Sequence, residues 1–305
     1  MSTIHFDPAL SDDERRKRLF SGDIFVFSPS PAAKDLVSLA RNMIEEAFAP
    51  HDPRKVQNHM AAEDVAAILS EMKPRFIHHP ACKSLIGRIL GEHGADLDRT
   101  YFDVPRLRTS YPGDFLNTGI AYAFHPHRDT WYSAPMCQIN WWLPVYPIES
   151  ENSMAFYPRY FDEAVANNSE VYNYFEWNKT RSEIMKHTKR DTRVQPKAHE
   201  ALQPVTVRFL PPPAGLIVFS GAQMHESVPN ATDVARYSID FRTVHVDDVM
   251  TRRGAPNVDS RSSGTTMRDY LRASSLEHLP DEAIRLYDDG TELKNEILYF
   301  GDRLA

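Results

Sequence analysis

The sequence predicts a mainly β protein with helical support, and three observations predict it. Apolar residues recur at helical spacing through most of the first hundred residues. From Tyr101 the pattern changes to short runs of β-branched and aromatic residues bounded by Pro, Gly, Asn and Asp. One long stretch, roughly 159–203, interrupts those runs.

Within the first hundred residues, DIFVF (23–27) is a short strand. Ser30 is placed to cap a helix that Pro31 opens and that runs to about Phe48, with Leu36, Leu39, Ala40, Met43, Ala47 and Phe48 as its buried stripe. Amphipathic runs at 61–72 and 80–93 predict two more helices. The β segments are TYFDVPRLRTSY, IAYAFHPHRD, MCQINWWLPVY, SMAFYP, PVTVRFL, GLIVFSG and RYSIDFRTVHV. So many short strands in succession predict an antiparallel sandwich or barrel. The interruption begins with FDEAVANNSEVYNYFEW, which reads as helical; its length predicts a lid or binding loop, and its aromatic residues (Tyr172, Tyr174, Phe175, Trp177) fit a lid over an apolar or ring-bearing substrate or equally a dimer contact. After Asp248 the chain is polar, with helical segments expected at PDEAIRLY and ELKNEILYF. No linker composition divides the 305 residues. One domain is therefore expected: residues 1–100 as helical support, 101–248 as the β core and 249–305 as an extension.

Composition narrows the function. Charged residues make up 25% and the net charge is −7, with basic residues scattered, which argues against nucleic acid as a partner. No apolar run is long enough to span a bilayer, and the N-terminal segment lacks the apolar core of a secretory signal, so a cytoplasmic protein is expected. Cys82 and Cys137 are too few for a disulfide framework.

The segment FHPHRDTW (124–131) is the most informative. On an extended strand, His127 and Asp129 share a face, and an imidazole plus a carboxylate supplies two-thirds of a facial metal triad. His225, at the end of the strand-and-turn unit GLIVFSGAQMHESVPN, is the best third member. On the pair alone, a surface His and Asp in a turn is the better reading. In RYSIDFRTV (236–244), Arg236, Ser238, Asp240 and Arg242 alternate with Tyr237, Ile239, Phe241 and Thr243. If the apolar face meets the N-terminal helices, the interior carries two guanidiniums that need acids or an anionic ligand. Arg236 and Ser238 then look like a clamp for the far end of a dicarboxylate; a half-exposed sheet with its charges in water is the alternative.

His127 and Asp129, then His225, then Arg236 eleven residues on with Ser238 beyond it, resemble the Fe(II)/2-oxoglutarate-dependent dioxygenases, most of all the phytanoyl-CoA-dioxygenase-like branch. The resemblance implies a double-stranded β-helix (a jelly roll, cupin-like). It implies that His127, Asp129 and His225 ligate iron, and that Arg236 and Ser238 bind the distal carboxylate of 2-oxoglutarate. It also implies an O2-dependent oxidation of a small organic molecule coupled to decarboxylation of 2-oxoglutarate to succinate. The carboxylate at Asp129 favours hydroxylation or desaturation over halogenation. Asn140, sharing a strand face with Gln138 and Trp142, is a candidate for cosubstrate binding, with structural bonding to the backbone as the alternative, and Trp131 for the wall of the substrate pocket, unless it only packs. Arg106 and Arg108 alternate with Leu107 and could meet an anionic substrate, but surface salt bridges are the expectation. Two other classes remain: a cupin-like metal-dependent hydrolase or isomerase that uses no 2-oxo acid, and a jelly-roll binding protein without catalysis.

Overall fold

The computed structural model describes residues 2–116, 121, 125–178, 195–203 and 206–288. Three long helices lie where the periodicity puts them. The first, α2 (Pro31–Phe48), starts at the Ser30 cap and buries Leu36, Val37, Ala40, Ile44 and Phe48. The others are α3 (Ala62–Ile77) and α4 (Pro80–Glu92). A shorter helix, α1 (Asp12–Phe20), precedes them, with Ser11 accepting from the Glu14 amide, acids in its first turn and Lys17 and Arg18 in its last.

Two sheets form the β part. The larger, of eight strands, runs β1 (Ile4–Phe6), β2 (Ile24–Phe27), β8 (Leu216–Ser220), β5 (Ile139–Pro144), β10 (Arg236–His245), β3 (Thr100–Phe102) and β11 (Leu271–Arg272), with β4 (Arg106–Ser110) also on β10. The smaller runs β7 (Val207–Arg208), β6 (Met154–Phe156) and β9 (His225–Ser227). Among the described residues, the named strands all pair antiparallel except β1 with β2. The large sheet takes strands from all three stretches of the chain: β1 and β2 from the first, β11 from the last.

Strand alternation sorts the side chains between two packing layers. Phe25, Trp141, Val218, Tyr237, Ile239 and Phe241 face α2, α3 and α4 and share one buried core with Leu36, Ile44, Leu69 and Ile86. The opposite face places Ile24, Trp142, Ile217 and Phe219 against Met154, Phe156 and Phe209 of the small sheet and its flank. Two sheets closing on a shared apolar layer, backed by helices, make a β-rich, jelly-roll-like fold. The polar residues of β10 therefore point between the sheets, as its alternation predicts.

The expectations fail in three places. His127 is not in a continuous strand: it forms a single bridge with His225, and Asp129 opens a 3-10 turn (Asp129–Tyr132). The stretch FDEAVANNSEVYNYFEW is not a helix. It follows a 3-10 turn at Pro158–Phe161, holds another at Ser169–Val171, and among the described residues is helical only from 174. Its asparagines bond to the local backbone instead: Asn167 accepts from the Ser169 amide at 2.9 Å and Asn173 from the Phe175 amide at 3.0 Å, which competes with helical bonding. Arg106 and Arg108 are interior residues, set inward by the same alternation that buries Leu107. Residues 179–194, most of the polar half of the expected lid, and the helix expected at ELKNEILYF lie outside the described residues. No described helix is long and apolar enough to cross a membrane.

Candidate metal centre

His127 and His225 are locked to each other by main-chain bonds: each amide donates to the other's carbonyl at 2.9 Å. The Asp129 amide donates to Gly221 O at 2.9 Å, and the Gly221 amide to Gln138 O at 2.8 Å. The end of β5 thus fixes both the turn before His225 and the turn that carries Asp129. Each imidazole commits Nδ1 to a carbonyl two residues back, His127 to His125 O at 2.8 Å and His225 to Gln223 O at 2.9 Å. A carbonyl can only accept, so Nδ1 carries the proton and the Nε2 lone pair is free to bind a metal. Both Nε2 atoms face Asp129 Oδ1, at 3.5 Å and 3.9 Å. The three side chains offer ligand atoms all within 4.8 Å of one another.

The carboxylate is oriented by its other oxygen. Asp129 Oδ2 accepts from Gln138 Nε2 at 2.8 Å and Asn140 Nδ2 at 2.9 Å, and Arg242 Nε lies 3.6 Å away. Gln138 is itself positioned by Tyr270, whose hydroxyl donates to Gln138 Oε1 at 2.8 Å, and it also donates to Asn140 Oδ1 at 2.8 Å. Burial would raise the Asp129 carboxyl, but its contact with His127 and the charge of Arg242 override it and hold it well below the usual range. Burial, with His127 adding to it, pulls His225 down to about 4. The site is therefore an anionic carboxylate beside a neutral imidazole across ordinary pH, which is the protonation a divalent cation needs.

The triad opens on a cavity of about 180 Å³. Arg236 enters this cavity from β10 and is 4% exposed. Among the described residues, its Nη1 reaches only the carbonyls of Asn152 and Ser153, each at 3.3 Å, and its Nε has no partner. The neighbouring Ser238 hydroxyl, fully buried, has none either. Burial, reinforced by Arg108, pulls the Arg236 guanidinium down to about 10. A buried cation with unused donors, beside an unused hydroxyl, is a fit for an anion's oxygens.

The remaining predicted positions separate. Asn140 borders the cavity, but its amide is engaged with Asp129 and Gln138, so it holds the carboxylate. Trp131 does not line the cavity. It is fully buried with Tyr157, Val165 and Met224, and its Nε1 donates to Asp259 Oδ1 at 2.7 Å. His125 contributes its carbonyl to His127 while its own Nε2 meets Pro196 O at 2.7 Å. Gln138 was visible as Asn140's face-mate on β5. Tyr270 and Asp103 carried no signal, because only the fold brings them near the site.

No family profile and no curated protein matches the chain. Among solved structures it is similar to EvdO2 from Micromonospora carbonacea var. aurantiaca, complexed with 2-oxoglutarate, at 12% identity and a TM-score of 0.46, over 78% of this chain and 92% of that one. It is similar to the non-heme alpha-ketoglutarate-dependent carbocyclase SnoK from nogalamycin biosynthesis at 11% identity and a TM-score of 0.40, over 84% and 95%. AviO1 from Streptomyces viridochromogenes matches at 14% identity and a TM-score of 0.37, over 82% and 100%. At this degree of likeness no activity transfers, and a functional reading has to rest on the chain's own residues.

Proposed function

We propose that this chain is a non-haem Fe(II) enzyme that uses 2-oxoglutarate and O2 to oxidise a C–H bond of a small organic molecule. One observation carries the proposal: a two-histidine, one-carboxylate cluster and a buried guanidinium with an unused donor share one cavity, and the unused Ser238 hydroxyl lies two residues along β10 from that guanidinium. His127, Asp129 and His225 would hold the ion, a ligand set that leaves one side open, as non-haem iron oxygenases require. Arg236 and Ser238 would bind the distal carboxylate of 2-oxoglutarate. The bound pair supplies oxidising power: O2 is reduced, the 2-oxo acid is decarboxylated to succinate, and the substrate gives up a hydrogen.

The protein's part is placement. Nδ1 of each histidine keeps its proton on a carbonyl, so Nε2 faces inward without a proton. Gln138 and Asn140 fix the carboxylate's rotation. Tyr132, Tyr172 and Trp177 wall the cavity, where a bound substrate would displace water. Residues 1–100, 101–248 and 249–305 act as one catalytic domain on this view, since strands from all three join one sheet and Tyr270, from the last, steadies the ligand set.

A cupin-like hydrolase or isomerase would need the triad but not Arg236 and Ser238, and a non-catalytic binder would need neither. The test is succinate release under air with Fe(II). Wild type should convert 2-oxoglutarate, and His225→Ala and Asp129→Ala should fall by about 100-fold or more. Metal-dependent turnover of any substrate without 2-oxoglutarate would favour the hydrolase class instead.

A further inference from the structure

Guanidiniums of Arg106, Arg108, Arg236 and Arg242 border the cavity, and the carboxylates among them are those of Asp103, Asp129 and Asp240. A ferrous ion adds two positive charges and a 2-oxo dicarboxylate removes two, so the loaded site keeps one unmatched cation in a partly enclosed space. The excess has an address. Arg108 is matched by Asp240 through bonds of 2.7 and 3.4 Å. Asp103, in contrast, serves two cations: its Oδ2 accepts from Arg106 Nη1 at 2.8 Å and from Arg242 Nη1 at 2.7 Å. Its Oδ1 is taken by the Arg242 amide at 2.8 Å. Among the described residues, neither guanidinium's Nη2 has a hydrogen-bond partner.

The two flanks of the triad differ. Beside Asp129 stands Arg242. Beside His127 stands Tyr132, edge-on with ring centroids 5.4 Å apart, followed by Tyr172 at 5.1 Å from Tyr132 and Trp177 at 6.3 Å from Tyr172. We infer that Arg106 and Arg242, sharing Asp103, form a second carboxylate site that selects an acidic substrate, whose apolar or ring-bearing body lies on Tyr132, Tyr172 and Trp177. The inference rests on the function proposed above, because the metal and the cosubstrate set the charge balance.

Calorimetric titration of the anaerobic full chain, loaded with Fe(II) and saturating 2-oxoglutarate, tests it with 3-phenylpropanoate against its neutral amide, 3-phenylpropanamide. The acid should bind about tenfold tighter or better, and Arg106→Gln should cut that preference to about threefold or less with 2-oxoglutarate affinity unchanged within about twofold. Equal binding of acid and amide to wild type overturns the inference, as does failure of the acid to bind. Both comparisons stand without the variant, should it not fold. Acid binding that disappears as 2-oxoglutarate rises would place the probe on Arg236 and also overturns it. The same samples are first checked for the visible band of the Fe(II)–2-oxoglutarate chelate, whose absence would instead sink the proposed function.

Discussion

Replacing Arg236 with methionine should separate stability from cosubstrate binding. In the free protein the guanidinium is 4% exposed; among the described residues it meets no carboxylate at bonding distance and bonds only to two carbonyls, at 3.3 Å. Burial lowers its pKa from 12.5 to about 10, so keeping it charged costs about 3 kcal/mol. Against that stand the two long bonds and a cation–π contact with Trp142 at 5.8 Å, together worth about 2 kcal/mol. Methionine retains much of the stem's packing. The variant should therefore melt within about 1 kcal/mol of wild type, on either side. Binding should respond differently, because a dicarboxylate loses its charge-assisted partner. A loss of about 2–4 kcal/mol is expected, which is about 30- to 1000-fold in Kd for 2-oxoglutarate. Thermal denaturation gives the first quantity, and anaerobic titration of the Fe(II)-loaded protein gives the second. If Arg236→Met binds 2-oxoglutarate within about threefold of wild type, the clamp is wrong.

Three further outcomes are expected. Asn140→Ala removes one of the two amides on Asp129 Oδ2 and should weaken divalent-metal affinity by about 10- to 100-fold while sparing 2-oxoglutarate affinity at saturating metal; Co(II) titration checks it. Trp131→Phe deletes a buried bond to Asp259 and should cost about 1–3 kcal/mol in denaturation, with turnover per folded molecule unchanged because the ring lies outside the cavity. Lys73, buried on α3 with Nζ 3.2 Å from Thr109 Oγ1, has its pKa drawn by burial, with help from Arg108, from 10.5 down to about 7. Its folded pKa lies below its unfolded one, so the unfolded chain binds more protons between about pH 7 and 10.5. Wild type should gain stability across that window, by at most about 5 kcal/mol, and Lys73→Met should flatten the gain in pH-dependent urea denaturation.

How far the sequence spoke depended on how local the physics is. The stripe of α2 and its Ser30–Pro31 start were legible because caps and periodicity are local. So was the inward face of β10, since Tyr237, Ile239 and Phe241 could only face an apolar layer. The spacing of His127, Asp129 and His225 was legible as chemistry, although the strand expected to align the first two is a bridge followed by a turn. Helix α1 has so little apolar character that periodicity passes over it, while its cap and end charges mark it. The aromatic insertion misled because Asn167 and Asn173 divert backbone bonds that composition alone assigns to a helix. Arg106 and Arg108 read as surface charges because Asp103 and Asp240, which offset the cost of burying them, are paired with them only by the fold. Tyr270 is a packing outcome of the same kind: β11 joins β3 only once the sheet exists.

The most direct test of the account is anaerobic titration of wild-type protein with Fe(II) and then 2-oxoglutarate, followed by visible absorption. A broad band should grow with 2-oxoglutarate and saturate at one equivalent of iron per chain, and it should be absent without either component. Tight, stoichiometric iron binding with no band at saturating 2-oxoglutarate would contradict a shared metal and cosubstrate site.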